Sequence, residues 1–150
     1  LFDVIFDAGI YYFPYVIPLI NSWKTHQYAQ DRFDLRFICL KRDRAEVVKS
    51  FLRKFELQNN NPLQNHGNPD LATEWDLCFP KYSGCSLEEA IGHFYDDYYR
   101  AVESIEKEYK DIFKLFDVEH LNSEEGVGKI LNFVGYEDPK IITQIRKRQH

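Results

Sequence analysis

Much of what would mark a common protein class is missing from this chain. It contains no methionine and only three cysteines, at positions 39, 78 and 85. Cys39 falls in an expected buried strand as a small apolar side chain, while Cys78 and Cys85 flank a loop and could pair in an oxidising compartment. The five histidines (His26, His66, His93, His120 and His150) are scattered, and none has a Cys or a second His three or four residues away, so no Cys/His zinc motif is expected. Long apolar runs are absent too. The most apolar stretch, residues 10–20, is interrupted by Pro14 and Pro18 and is about half the roughly 20 residues a membrane-spanning helix needs. There is no excess of positive charge: the net charge is −5, which argues against a general nucleic-acid or anionic-membrane surface. The seven glycines include none in a basic Gly-Ser/Thr run, so a phosphate-cradling P-loop is missing. No Asn-x-Ser/Thr acceptor and no secretory signal are visible, and a reduced, cytoplasmic setting is expected. With no methionine and Leu1 as its first residue, the chain reads as an excerpt of a longer protein.

Aromatic residues, by contrast, are plentiful. Twelve Phe, ten Tyr and two Trp among 150 residues support a real core, and a chain this long suits one domain burying about 68–70% of its unfolded surface. Residues 3–7 read as a short buried strand that stops at Asp7-Ala8-Gly9. A helix is expected over 11–30, with Val16, Ile17, Ile20 and Trp23 at helical spacing. A second strand spans 35–40 and a helix 45–57, its core face made by Val47, Val48, Phe51, Leu52 and Phe55. Lys49, Arg53 and Lys54 fall on its solvated side. Residues 58–85, rich in Asn, Pro and Gly, keep no period and read as a long loop. In it Trp75, Phe79 and Tyr82 supply docking groups, or a substrate-side lid.

The clearest helix is 86–109, with Ser86 as its cap, Glu88 and Glu89 in the first turn, and a stripe from Leu87 through Ile91, Phe94, Tyr98, Val102 and Ile105 to Tyr109. Its Asp96-Asp97 pair points to different faces and reads as solvated charge, not a metal site. Residues 112–118 form a third strand. Ser123 then caps a helix to Phe133 that Gly135 stops, and Pro139 opens a last helix ending in Arg146-Lys147-Arg148. This β-α-β-α-loop-α-β-α order implies a parallel α/β sheet with right-handed crossovers.

One junction stands out. The apolar run Phe37-Ile38-Cys39-Leu40 stops on Lys41-Arg42-Asp43-Arg44, and a helix pattern begins at once. Ligands of parallel sheets bind beyond the carboxyl ends of strands, so Arg42 stands where an anion would sit, beside helix-start amides able to receive it. Ser50, eight residues after Arg42, adds a hydroxyl. A guanidinium fork and a hydroxyl together suit one phosphate.

Strand, Arg-Asp, then Ser eight positions after the Arg resembles the element with which sulfotransferases hold the 3′-phosphate of 3′-phosphoadenosine 5′-phosphosulfate (PAPS). Residues 115–127 and 130–136 resemble the strand and late helix of the same family, and residues 75–82 one of its loops. The resemblance covers most of the chain in the right order. It implies a three-layer, P-loop NTPase-like parallel sheet flanked by helices, of which residues 1–150 are a single partial domain. It also implies PAPS as co-substrate without a metal, Arg42 and Ser50 as cofactor-binding residues, and sulfuryl transfer to a small-molecule or glycan acceptor bearing a hydroxyl or amine. The family's phosphosulfate loop, which cradles the 5′ end of the donor, is not in the sequence, so the fragment alone is expected to be inactive. Asp7, at the end of the first strand, is the candidate base, in a place topologically similar to that of a histidine in cytosolic members; a turn-forming Asp bonded to backbone amides is the plainer reading. Arg44 departs from the family's frequent proline, and the terminal Arg-Lys-Arg lacks the glycine of its basic segment. A related P-loop nucleotide-binding or scaffolding domain without sulfuryl transfer is the alternative.

Overall fold

Two five-residue runs dominated by Phe, Ile and Leu, Phe37–Lys41 (β1) and Phe113–Asp117 (β2), pair in parallel with Cys39 opposite Leu115 and Lys41 opposite Asp117. The structure is a computed structural model that describes residues 10–57, 66, 67, 76 and 78–136. The chain divides into two compact units, one of residues 1–35 and 47–97, the other of residues 36–46 and 98–150. The division falls inside two helices, α3 (Arg44–Leu57) and α4 (Leu87–Glu108), so each contributes to both units.

The first unit begins with a 3-10 turn, Ile10–Tyr15, that runs into α1 (Val16–Thr25). Pro18 is tolerated because a first-turn residue has no intrahelical acceptor for the N–H that proline lacks. Val16 and Ile20 are buried one turn apart, whereas Ile17, about 100° round the helix, is 41% exposed. The sequence pattern counts Ile17 as core; only the 16–20 stripe is. A single helix over 11–30 is also not formed. The chain breaks at His26, whose backbone is extended, before a short α2 (Gln27–Gln30). The cause is local: the Thr25 hydroxyl donates to the Ser22 carbonyl at 3.0 Å, and His26 Nδ1 lies 2.6 Å from the same oxygen. Side chains that take a helix carbonyl compete with the ladder. Trp23 is half-buried, its Nε1–H donating to the Phe33 carbonyl at 3.0 Å. The core of this unit adds Val48 and Phe55 from α3, Ala90, Ile91 and Tyr95 from α4, and Phe79.

Helix α4 starts as its sequence dictates. The Glu89 N–H donates to Ser86 Oγ at 3.2 Å and the Ser86 N–H to Glu89 Oε2 at 2.8 Å, a reciprocal capping box. In the second unit, Val102 and Ile105 of this helix are buried, as are Cys39, Ile112, Phe113 and Phe116. Glu106 Oε1 accepts from the Leu115 N–H and pairs with Lys114, both at 3.1 Å. Beyond β2 a 3-10 turn, Val118–Asn122, leads to α5 (Glu124–Phe133), with the Ser123 hydroxyl accepting from the Gly126 N–H at 3.0 Å. Gly135, at φ +73°, ends it, the left-handed backbone that glycine adopts without a Cβ penalty. Arg36 Nε donates to the Phe133 carbonyl at the end of α5.

The architecture is thus mixed α/β and rich in helix, with a two-stranded parallel sheet among the described residues. The strand expected at 3–7, the helix expected at 139–148, Asp7 and Trp75 lie outside those residues. Cys78 and Cys85 are free thiols, as is Cys39. Among the described residues no helix is long and apolar enough to cross a membrane.

Two glycines of α5 make opposite predictions. A Cβ on Gly126 would collide with the His120 backbone, while one on Gly128 meets nothing within 4 Å. Gly126→Ala should therefore destabilise the chain by roughly 1–3 kcal/mol through overpacking. Gly128→Ala should stabilise it by about 0.5–1 kcal/mol through helix propensity. Urea unfolding of the two variants checks both signs.

Candidate functional site

Two residues separate the end of β1 from the start of α3, and this tight passage sets the geometry of the cationic run. Asp43 makes it possible. Its Oδ1 accepts the Glu46 N–H at 3.0 Å, satisfying one of the amides that a helix start leaves without a partner. Of the helix-start amides expected to receive an anion, the chain's own carboxylate thus takes one, that of Glu46.

The cations leave in different directions. Lys41 and Cys39, two residues apart on β1, share a face. Cys39 Sγ lies 3.7 Å from the Tyr98 hydroxyl, and Lys41 Nζ is 2.9 Å from Glu103 Oε1 and 5.3 Å from the centroid of the Tyr99 ring. The Tyr99 hydroxyl donates to the Leu40 carbonyl at 2.8 Å. Lys41 is thereby fastened to α4. Arg42 is half exposed, its Nη2 3.7 Å from Glu46 Oε2, itself more than half exposed. So long and wet an ion pair contributes about 0–1 kcal/mol and opens at little cost. Arg44, the first residue of α3, is exposed, as are Lys49 and Ser50 in its second turn.

Arg42 falls in the unit of residues 36–46 and 98–150, and Ser50 in the other. Nothing here makes Cys39 a nucleophile. Burial raises its pKa above the usual thiol value, the Tyr98 bond opposes this, and burial raises the Tyr98 hydroxyl as well. A thiol held protonated is chemically quiet. Among the described residues no group of three or more His, Cys, Asp or Glu side chains is set to hold a metal ion.

Two features escape a reading of the sequence. The fastening of Lys41 to α4 is hidden because periodicity does not say which helix covers which strand face. His66, one of five scattered histidines in the sequence, is completely buried, and no motif signals it. Compared with protein-family models, with curated proteins and with solved structures, the chain matches none.

The roles of the Arg-Asp pair separate in a stability measurement. Asp43→Ala should cost about 0.5–2 kcal/mol, the range for a lost helix cap. Arg42→Ala should stay within about 0.5 kcal/mol, as exposed positions do. Denaturant midpoints of the two variants test this, and a larger loss for Arg42→Ala would contradict it.

Proposed function

We propose that the chain is the 3′-phosphate-binding portion of a PAPS-dependent sulfotransferase, acting on a hydroxyl or amine acceptor carried by a small molecule or glycan. The observation that carries this reading is the exposed Arg42 guanidinium at the carboxyl end of a parallel strand, held by a long pair to Glu46. A phosphate dianion offers that fork two oxygens and more charge than a carboxylate. Ser50, eight residues on and exposed, offers the hydroxyl that the sequence resemblance assigns to the same phosphate. Asp43, committed to the helix start, serves the site by orienting the backbone that carries Arg42.

Sulfuryl transfer, like phosphoryl transfer, is an in-line displacement at a group whose charge is spread over its outer oxygens. The protein mainly positions and stabilises. In this reading Arg42 and Ser50 anchor the donor by its 3′-phosphate, far from the breaking bond, and so fix where the sulfuryl group lies. The reading calls for a phosphosulfate loop at the 5′ end of the donor, which residues 1–150 do not contain, and for a three-layer, P-loop-like sheet. Asp7 remains the candidate for removing the acceptor's proton. A reducing, cytoplasmic compartment belongs to the same reading.

The test compares two nucleotides that differ at one group. With the phosphosulfate loop present, Arg42→Ala should weaken 3′,5′-adenosine diphosphate by roughly 1.5–3 kcal/mol, the scale of a charge-assisted hydrogen bond. Adenosine 5′-monophosphate should be almost indifferent to it. Calorimetric titrations showing equal losses for both would contradict the assignment.

A further inference from the structure

In the unit of residues 1–35 and 47–97, His66 has no exposed surface at all. Its ring stacks on Phe94, centroids 4.4 Å apart at 20°, and meets Phe51 at 5.7 Å and Phe79 at 5.8 Å. Nδ1 lies 2.8 Å from the Pro80 carbonyl, which only accepts, so Nδ1 carries the proton. Nε2 is then an acceptor, and it is buried without a hydrogen-bond partner among the described residues. Native structures rarely leave such an atom, and each one calls for a reason. The same residue holds the chain by its backbone, its carbonyl accepting the Tyr82 N–H at 2.7 Å.

We propose that His66 is a proton-operated clasp: a proton added at Nε2 drives the imidazole out of the Phe51, Phe79 and Phe94 cage and frees the Pro80 and Tyr82 backbone it holds. The step adds one solvent proton to the Nε2 lone pair and breaks no covalent bond. Inside the cage the new N–H finds no acceptor, and a buried cation without a partner is costly. The faces of the phenyl rings offset part of this cost.

The charged surroundings work in the same direction. On the stretch that carries Pro80, the largely buried Lys81 ammonium repels an imidazolium, while its own partner is Asp76, 3.6 Å away. The packing residues from α3 and α4 are Phe51 and Phe94, which bring no charge. On α4, Asp97 accepts from the Tyr82 hydroxyl at 3.0 Å, and the His93 ring lies 5.7 Å from the Tyr82 ring. Burial holds the His66 pKa below the usual value of 6.5, the Pro80 bond opposes the fall, and Lys81 adds to it. For a group whose pKa is lowered on closing, the open state binds the proton first. The closed form is therefore fully favoured above about pH 6.5 and loses ground as pH falls below it. None of this depends on the nucleotide assignment.

Hydrogen exchange at the Tyr82 amide in this chain reads the clasp directly. Between pH 7.5 and 5.5 its protection factor, corrected for intrinsic exchange, should fall by about tenfold, the ratio that one pH unit below the open-state pKa imposes. In His66→Asn, whose amide can still donate to the Pro80 carbonyl but cannot titrate, the change should be less than twofold. A wild-type protection factor that stays constant overturns the proposal, as does an equal fall in His66→Asn. Should that variant not fold, ring NMR of the wild type decides. A His66 imidazole that titrates while Tyr82 stays protected overturns the clasp; loss of protection that tracks the ring titration supports it.

Discussion

The bond from the Glu46 N–H to the Asp43 carboxylate is the constraint on which the candidate site rests. A parallel strand and a helix are joined here by two residues, so the helix must start immediately, and a start without a cap leaves amides unsatisfied. Asp43 supplies the cap. Arg42, the residue before it, is half exposed just past the end of β1, with its guanidinium 3.7 Å from Glu46. The dipeptide thus divides its labour: one residue makes the turn, the other faces what lies outside it. Lys41 cannot share that outward role, since Glu103 and Tyr99 hold it.

Polar atoms buried in the two units are treated very differently. In the unit containing the sheet, Glu106 meets the Leu115 amide and Lys114, and Arg36 meets the Phe133 carbonyl at the end of α5. Cys39 and the Tyr98 hydroxyl meet one another. Each group has an answer. In the other unit His66 satisfies one ring nitrogen and leaves the other bare within phenyl rings. Stability alone would favour an apolar side chain there, because an unpaired buried acceptor costs free energy that a phenyl ring would not. The neutral imidazole is tolerated near neutral pH and penalised in acid. That asymmetry is what makes the residue a sensor.

How far this was legible in advance depended on whether the signal was local. The start of α4 could be read from Ser86 and Glu89, and the limits of α5 from Ser123 and Gly135, because caps are short-range chemistry. The parallel pairing of β1 with β2 followed from the order of strands and helices. The break at His26 was not legible: it comes from two side chains competing for the Ser22 carbonyl, and competition of that kind has no period. The exposure of Ile17 was hidden for a related reason, since helical spacing admits more apolar residues than one buried stripe accepts. At the site, Arg42 and Ser50 could be nominated from spacing, but the capping role of Asp43, which takes one of the helix-start amides, was not read. The cage around His66 joins residues far apart in sequence, which no local pattern connects.

The central claim is that this stretch of chain recognises a 3′-phosphate. Phosphorus NMR tests it most directly, because 3′,5′-adenosine diphosphate carries two phosphates with separate signals. Titrated with the chain, the 3′-phosphorus signal should shift and broaden while the 5′ signal moves far less, and Arg42→Ala should abolish the difference. A response led by the 5′-phosphorus, or a 3′ signal that is the same with and without the Arg42 guanidinium, would contradict the account.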